Sequence, residues 1–329
     1  MKCLVFDFGG SSVKYGIIDD DAKILFSNKC PAPLGSVDAF IDTIKGLYEQ
    51  HKAEVDGIAI SLPGIIDSES GMHHGSGAYS QILKDKNIIE MVGRACGAKV
   101  AVENDGKCGA LSEAWNGALK DVKDGVVLII GTGVGGGVII NKKIHRGLNF
   151  SAGEFSFTLT KLNGYTITDE AWVNIGIIGM TYKICKWKNL DISFQDAGDT
   201  LLRYDKLLRA DYPIYTQTPK KIKADGKQIF RWIEEGDKDA VRVYEEFLSS
   251  MVSLIHNIQT CFAPPRIIIG GGLSRVERLL PDINRELDVF YTKGCVPDTL
   301  HANLQKSRYL DECNLLGAMY NFMEKYGRC

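Results

Sequence analysis

The segment that constrains the fold most is Gly131-Thr132-Gly133-Val134-Gly135-Gly136, together with the apolar run directly after it. It satisfies G-x-G-x-x-G, which in dinucleotide-binding folds leads a strand into a helix whose N-terminus meets the pyrophosphate. Here the next residues, Gly137-Val138-Ile139-Ile140-Asn141, are β-branched and read as a second strand. A dinucleotide-binding fold is therefore excluded, and without G-x-x-x-x-G-K-[ST] a P-loop is excluded too. What remains is a hairpin whose glycine amides can approach an anion closely, because no Cβ intervenes. A plain tight hairpin needs fewer glycines than the five between 131 and 137.

The same arrangement opens the chain. Lys2–Phe8 reads as an apolar strand running into Gly9-Gly10-Ser11-Ser12, Val13–Asp19 as a second strand and Lys23–Lys29 as a third. Strand, glycine-rich hairpin, strand, polar turn thus occurs twice, a weak internal repeat that points to two related lobes. Between the copies, the spacing of Val37, Phe40, Ile41, Ile44, Leu47 and Tyr48 predicts a helix. Strands over Val55–Ser61 and Lys99–Glu103, a helix near Asn87–Cys96 and another opening near Asp105 come next. After the second copy, residues from about 165 to 262 read as mostly helical, with no period between Ser193 and Lys227. Pro264-Pro265 stops the last of these helices, and Arg266–Ile269 forms a strand entering Gly270-Gly271-Gly272. Helices over Val276–Phe290 and Asn314–Tyr326 close the pattern. Such alternation implies mixed sheets covered by helices, an α/β fold.

Composition matters here for what it excludes. A formal net charge of −2 gives no electrostatic reason to expect a nucleic acid or an anionic membrane as partner. Glycine is high, 35 of 329 residues against an average of about 7%. The nine cysteines are scattered without a C-x-x-C pair, which predicts buried thiols in a reducing compartment rather than a metal knuckle or a disulfide frame. No apolar run approaches the roughly 18 residues of a spanning helix. A cytoplasmic location is the expectation.

In the order Asp7-Phe8-Gly9-Gly10-Ser11-Ser12-Val13-Lys14, Glu103-Asn104-Asp105, Gly131–Gly137, Gly153-Glu154 and Gly270–Ser274, the motifs resemble those of the ROK family. These are bacterial sugar kinases and related regulators of the actin/hexokinase superfamily. The resemblance implies two actin-like (ribonuclease H-like) lobes with mixed sheets and a nucleotide and sugar cleft between them. It places the first lobe at residues 1–118, with the C-terminal helix 311–329 returning to it. The second lobe, with a helical insertion, falls at 119–310. It also implies ATP with Mg²⁺, a small sugar as substrate, and a homodimer.

By position, Asp7, Gly9, Gly10, Ser11 and Lys14 resemble the first ATP loop, with Asp7 holding Mg²⁺ through water. Gly131, Thr132, Gly133 and Gly135 resemble the second phosphate loop. Gly270, Gly271 and Gly272 resemble the loop that receives adenosine. Asp105 matches the catalytic base, a carboxylate that accepts the proton of a sugar hydroxyl. From the residues alone Asp105 reads equally well as the N-cap of its helix, and Asp7 as a carboxylate satisfying turn amides. Asn104, Asp105 and Glu154 resemble sugar contacts; Ser61, Gly64 and Gly77 are expected in the wall of the sugar site, and Glu103 supports its strand. His73-His74 lack metal-ligand spacing and are expected at the surface.

The chain departs from the family pattern after Glu154. Phe157 stands where most members carry a histidine, and Lys161–Asp169 contains no cysteine where they build a structural zinc site. Tyr165, Thr166 and Thr168 cannot replace thiolates, so no zinc site is expected. Glu170 matches a further sugar-contacting glutamate. The implied activity is ATP-dependent phosphorylation of glucose or a related hexose or glucoside at the 6-hydroxyl. The alternatives are a sugar-responsive regulator, for which no basic recognition helix precedes Lys2, and a non-catalytic sugar-binding actin relative, against which both phosphate hairpins and Asp105 argue.

Overall fold

The computed structural model describes residues 1–162, 164, 167–191, 220–221 and 226–327. The chain forms two compact units, one of Met1–Leu128, Gly135–Glu154 and Ser307–Cys329, the other of Ile129–Val134 and Phe155–Lys306.

The first unit begins with β1 (Lys2–Phe8), β2 (Ser12–Asp19) and β3 (Ile24–Pro31), then α1 (Val37–His51) and β4 (Gly57–Leu62). The short strands β5 (Ile66–Asp67) and β6 (Met72–His73) come next, with α2 (Ser80–Leu83), α3 (Ile88–Cys96), β7 (Val100–Asn104) and α4 (Asp105–Asn116). Its sheet has the order β3-β2-β1-β4-β7. β1 runs antiparallel to β2 and parallel to β4, and β4 is parallel to β7. Alternation along β1 divides the core. Leu4, Phe6 and Phe8 pack on one face with Phe40, Ile44 and Tyr79, while Cys3 and Val5 pack on the other with Ala101, Met319 and Phe322.

The remaining elements are β8 (Gly125–Ile130), β9 (Val134–Ile140), β10 (Lys143–His145), α5 (Ala171–Asn174), α6 (Ile177–Trp187), β11 (Leu190–Asp191) and β12 (Lys220–Lys221). After them come α7 (Gly226–Glu234), α8 (Lys238–Phe262), β13 (Ile267–Gly270), α9 (Leu279–Gly294), β14 (Leu304–Lys306) and α10 (Cys313–Tyr326). A second five-stranded sheet has the order β10-β9-β8-β13-β14. The glycine hairpin thus leads into a strand, with β9 starting at Val134, three residues earlier than the sequence suggests. The helix expected from Val276 starts at Leu279, because Gly272–Arg275 first makes a 3₁₀ turn. α8 is capped by Asp237, whose carboxylate accepts from the Ala240 amide at 3.0 Å. It ends on left-handed Ala263, just before the two prolines. Most of the unassigned stretch between Ser193 and Lys227 lies outside the described residues.

α4 is buried nearly all round, from Gly106 to Ala114, and two glycines make that possible. A Cβ on Gly106 would stand 2.3 Å from the Gly136 amide nitrogen, so α4 lies directly on the β9 backbone. A Cβ on Gly317 would stand 1.7 Å from the Cys108 carbonyl, so α10 crosses α4 at backbone contact. Of the cysteines expected in the core, Cys3, Cys108, Cys185 and Cys313 are buried, but Cys261 and Cys295 are exposed. Among the described residues no helix is long and apolar enough to cross a membrane.

Candidate active site

Register places the first set of polar groups. Asp7 on β1 lies opposite Lys14 on β2 and Ser61 on β4, and Ser61 lies opposite Glu103 on β7. The Ser61 hydroxyl and the Asn314 amide both donate to Asp7 Oδ1, each at 3.0 Å. Burial pushes the Asp7 carboxyl above its ordinary range, and these two donors with Lys14 oppose the shift. Ser61, expected in a sugar-site wall, is fully buried and gives its hydroxyl to Asp7 instead. The hairpin Gly9-Gly10-Ser11 closes through the Gly9 amide donating to the Ser12 carbonyl, and the Tyr79 hydroxyl holds it from below through the Gly9 carbonyl at 3.2 Å. Lys14 donates to the Asp311 carbonyl at 3.0 Å, at the approach to α10.

The second set sits where β7 becomes α4. Asn104 caps the helix: its Oδ1 accepts from the Lys107 amide at 3.0 Å. Its Nδ2 donates to the Gly64 carbonyl at 2.9 Å and to Asp105 Oδ1 at 3.1 Å. Asp105 is therefore the first helical residue rather than the cap, and its Oδ1 also accepts from the Gly106 amide at 2.8 Å. Asn104, expected on the sugar, has both amide donors engaged on Asp105 and the Gly64 turn. Burial first, then the charges of Glu154 and Asp7, push the Asp105 carboxyl up to about 6; the Gly106 amide and Lys107 oppose them.

Glu154 reaches the same region from the loop after β10. Gly153, at φ +81°, lies against Gly137, where a Cβ would stand 3.2 Å from the Gly137 Cα. Glu154 Oε1 accepts from the Lys107 ammonium at 2.9 Å, and the Lys107 side chain is fully buried. Glu103 is a structural carboxylate, bonded to Arg146 at 2.9 Å and to the Asn104 amide nitrogen at 2.8 Å. Gly64 (φ +123°) and Gly77 (φ +73°) pack together: a Cβ on Gly77 would stand 3.1 Å from the Gly64 nitrogen. His73 pins this turn, and it is buried rather than at the surface. Its Nδ1 accepts from the Gly75 amide at 3.0 Å, so Nε2 carries the proton that it donates to the Pro63 carbonyl at 3.1 Å. Burial holds the ring below the usual histidine range.

The first unit thus brings together Asp7, Gly9, Gly10, Ser11, Lys14, Gly64, Gly77, Asn104, Asp105 and Glu154. Gly135 belongs to it as well, packed with a would-be Cβ 3.4 Å from the Gly106 Cα. α4 lies along this turn: Gly106 meets the Gly135–Gly136 backbone, and a Cβ on Gly137 would stand 2.7 Å from the Ala110 Cβ, so the three are not all free to meet an anion.

The second unit carries Gly131, Thr132 and Gly133. The Gly131 and Thr132 carbonyls accept from the Ile177 and Ile178 amides at the start of α6. A Cβ on Gly131 would meet nothing within 4 Å, and the same holds for Gly272. Gly271, at φ +82°, lies so close to Ile130 that a Cβ would stand 2.4 Å from its carbonyl oxygen. Glu170 accepts from the Trp172 indole at 2.7 Å, and Phe157 is 49% exposed. Of the three residues weighed as zinc-ligand replacements, Tyr165 and Thr166 lie outside the described residues.

Three contributors were not singled out from the sequence: Lys107, Asn314 and Tyr79. Lys107 does carry a signal. It stands one turn before Leu111 on a helix that is apolar on that side, where a solvated lysine is out of place.

The fold and this set of groups define a two-unit actin-like α/β protein with a hydrogen-bonded acid at a strand-to-helix junction. The family model described as "ROK family" matches residues 3–168 and 204–325. The chain belongs to the ROK family. It is 26% identical to a beta-glucoside kinase of Listeria innocua, over 100% of this chain and 99% of that one. It is 30% identical to an N-acetyl-D-glucosamine kinase of Aliivibrio salmonicida, over 86% and 88% of the two chains. The crystal structure of a ROK family glucokinase from Streptomyces griseus in complex with glucose and AMPPNP superposes with a TM-score of 0.72 at 21% identity, covering 97% of this chain and 98% of that one.

Proposed function

We propose that the chain is an ATP-dependent sugar kinase that transfers the γ-phosphoryl group to the 6-hydroxyl of a glucose-configured sugar. The relatives named above point to β-glucosides and N-acetylhexosamines as acceptors beside glucose. The observation that carries the reading is the state of Asp105. Its Oδ1 is fixed by Asn104 and Gly106, Oδ2 accepts no hydrogen bond among the described residues, and its carboxyl is pushed up to about 6. A carboxylate so poised is ionised at neutral pH and basic enough to accept a proton.

Oδ2 of Asp105 takes the proton of the sugar hydroxyl as that oxygen attacks phosphorus, and releases it to solvent after transfer. The transition state of such transfers is loose, so positioning and charge neutralisation supply most of the acceleration. Glu154 accepts from sugar hydroxyls and orients the ring, and Glu170 is a further expected sugar contact. Asp7 suits a hydrated Mg²⁺: both its hydrogen bonds go to Oδ1, and Oδ2 accepts none among the described residues. Bound Mg²⁺ would neutralise phosphate charge. In the first unit Gly9, Gly10 and Ser11 are the residues whose backbones would meet nucleotide phosphate; in the second, Gly131, Thr132, Gly133 and Gly272 would do so, and the open space beside Gly131 and Gly272 fits a ligand there.

The test is a coupled assay of ADP release with ATP and Mg²⁺ across glucose, N-acetylglucosamine, N-acetylmannosamine, cellobiose and gentiobiose. Sugar-dependent turnover on at least one is expected. ADP release on none of them above the no-sugar rate overturns the reading.

A further inference from the structure

Among the described residues, Lys107 is the buried cation that stands between the acids of the first unit. Its side chain has no exposed surface, and its ammonium meets Glu154 Oε1 at 2.9 Å. Its backbone amide is the donor that Asn104 caps, so the residue is tied to the junction at both ends. Asp105 faces Glu154, Asp7 and Lys107 and is hydrogen-bonded by Asn104 and Gly106. Lys14 faces Asp7 from β2. Two carboxylates therefore crowd Asp105, and Lys107 is the ammonium that opposes them. A buried ammonium without its carboxylate is costly, and so is a carboxylate without its ammonium. Neither side chain of this pair can leave alone.

We propose that Lys107 is a positioning residue of the phosphoryl transfer, a buried ammonium that clamps the Glu154 carboxylate in its sugar-facing place and supplies the counter-charge to Asp105. It touches neither sugar nor nucleotide and acts through those two acids. The inference rests on the kinase reading for its consequences in turnover, but the electrostatic part stands apart from it.

Two consequences separate this role from plain core packing. With Lys107→Met, Glu154 loses its tether, and the sugar KM rises by about tenfold or more, the scale of a lost charged hydrogen bond. The repulsion on Asp105 is then unopposed, and the acid limb of kcat/KM moves upward by about one pH unit. Lys107→Arg keeps the charge and so keeps the limb. Because Lys107 reaches the sugar through Glu154 and the proton transfer through Asp105, the sugar KM of Lys107→Met/Glu154→Gln equals that of Glu154→Gln alone.

The experiment combines pH-rate profiles of these variants with ¹³C carboxyl titration of Asp105, its resonance assigned by its loss in Asp105→Asn. The titration is read without turnover. If no sugar is phosphorylated the kinase reading falls, and the Asp105 midpoint in Lys107→Arg against Lys107→Met still decides the inference. Where Lys107→Met does not fold, the double variant has no unpaired buried charge and carries the KM comparison. A folded Lys107→Met with Asp105 midpoint and sugar KM within twofold of wild type overturns the proposal. So does a double variant whose KM exceeds that of Glu154→Gln several-fold.

Discussion

Asn104 caps the helix that Asp105 begins, and the side chain that caps it also donates to Asp105 Oδ1 at 3.1 Å. One side chain thus ends strand β7, starts α4, holds the Gly64 turn and aims the acid. Asn104→Ala removes a cap, worth about 1 kcal/mol, and orphans the buried Gly64 carbonyl for about as much again. A fall in Tm of roughly 3–6 °C is expected. Thermal unfolding by circular dichroism checks it, and a Tm within about 1–2 °C of wild type would show that the observed network carries little stability.

Glycines that look alike in the sequence do different work, and substitution separates them. A Cβ on Gly106 meets the Gly136 backbone at 2.3 Å, and neither α4 nor β9 can yield without moving the other. Gly106→Ala is expected to cost more than about 3 kcal/mol, visible as loss of soluble protein or a large drop in Tm. Beside Gly131 and Gly272 a Cβ meets nothing. Gly131→Ala and Gly272→Ala should keep the wild-type Tm while raising the KM for ATP by about tenfold or more, since a methyl group then stands where phosphate or adenosine would approach. An unchanged ATP KM in both variants would remove those loops from the nucleotide site.

Much of this was legible because strand and hairpin signals are local. The alternation of Leu4, Phe6 and Phe8 against Cys3 and Val5 fixes two core faces, and strand after hairpin excludes a dinucleotide fold. What was not legible depends on partners distant in sequence. His73 looks like a surface residue until Pro63 and Gly75 are seen at its two nitrogens. Gly135 and Gly136 look like part of an anion loop until Gly106 is seen against their backbone, and Gly137 until Ala110 is seen beside it. Ser61 looks free for a ligand until register brings Asp7 beside it. Asp105 as cap and Asp105 as base look the same in the sequence, since both need an acid at a helix start; the bond from the Lys107 amide to Asn104 gives the cap to Asn104 and removes that reading of Asp105.

Zinc should be absent from the purified protein. The segment Lys161–Asp169 offers no thiolate, and a structural zinc site takes four ligands, mostly Cys and His. Elemental analysis after tag removal and dialysis against a weak chelator is expected to give substoichiometric zinc with Tm unchanged. One zinc per chain, retained through dialysis, would mean that ligands come from elsewhere in the sequence.

The sharpest expectation concerns Asp105→Asn. Asparagine keeps the oxygen that accepts from Asn104 and Gly106, so the junction survives, but Oδ2 becomes an amide that cannot take a proton. General-base steps contribute about 10²–10⁴-fold, so kcat should fall at least ~100-fold, with sugar affinity falling less because Glu154 still holds the ring. Stability should move the other way. The folded carboxyl titrates near 6, above an unfolded value of about 3.9, so folding penalises the ionised form. That penalty is absent below about pH 4, grows between about 4 and 6, and is complete above 6. Removing the charge should therefore raise Tm relative to wild type at about pH 7–8, and the two proteins should converge as the pH falls toward about 4. The acid limb near pH 6 in the wild-type kcat/KM profile should vanish from the residual activity of the variant. A variant that turns over within a few-fold of wild type would take the base assignment away from Asp105. A Tm lowered at about pH 8 would mean that the carboxylate is stabilised where it stands, against the crowding by Glu154 and Asp7.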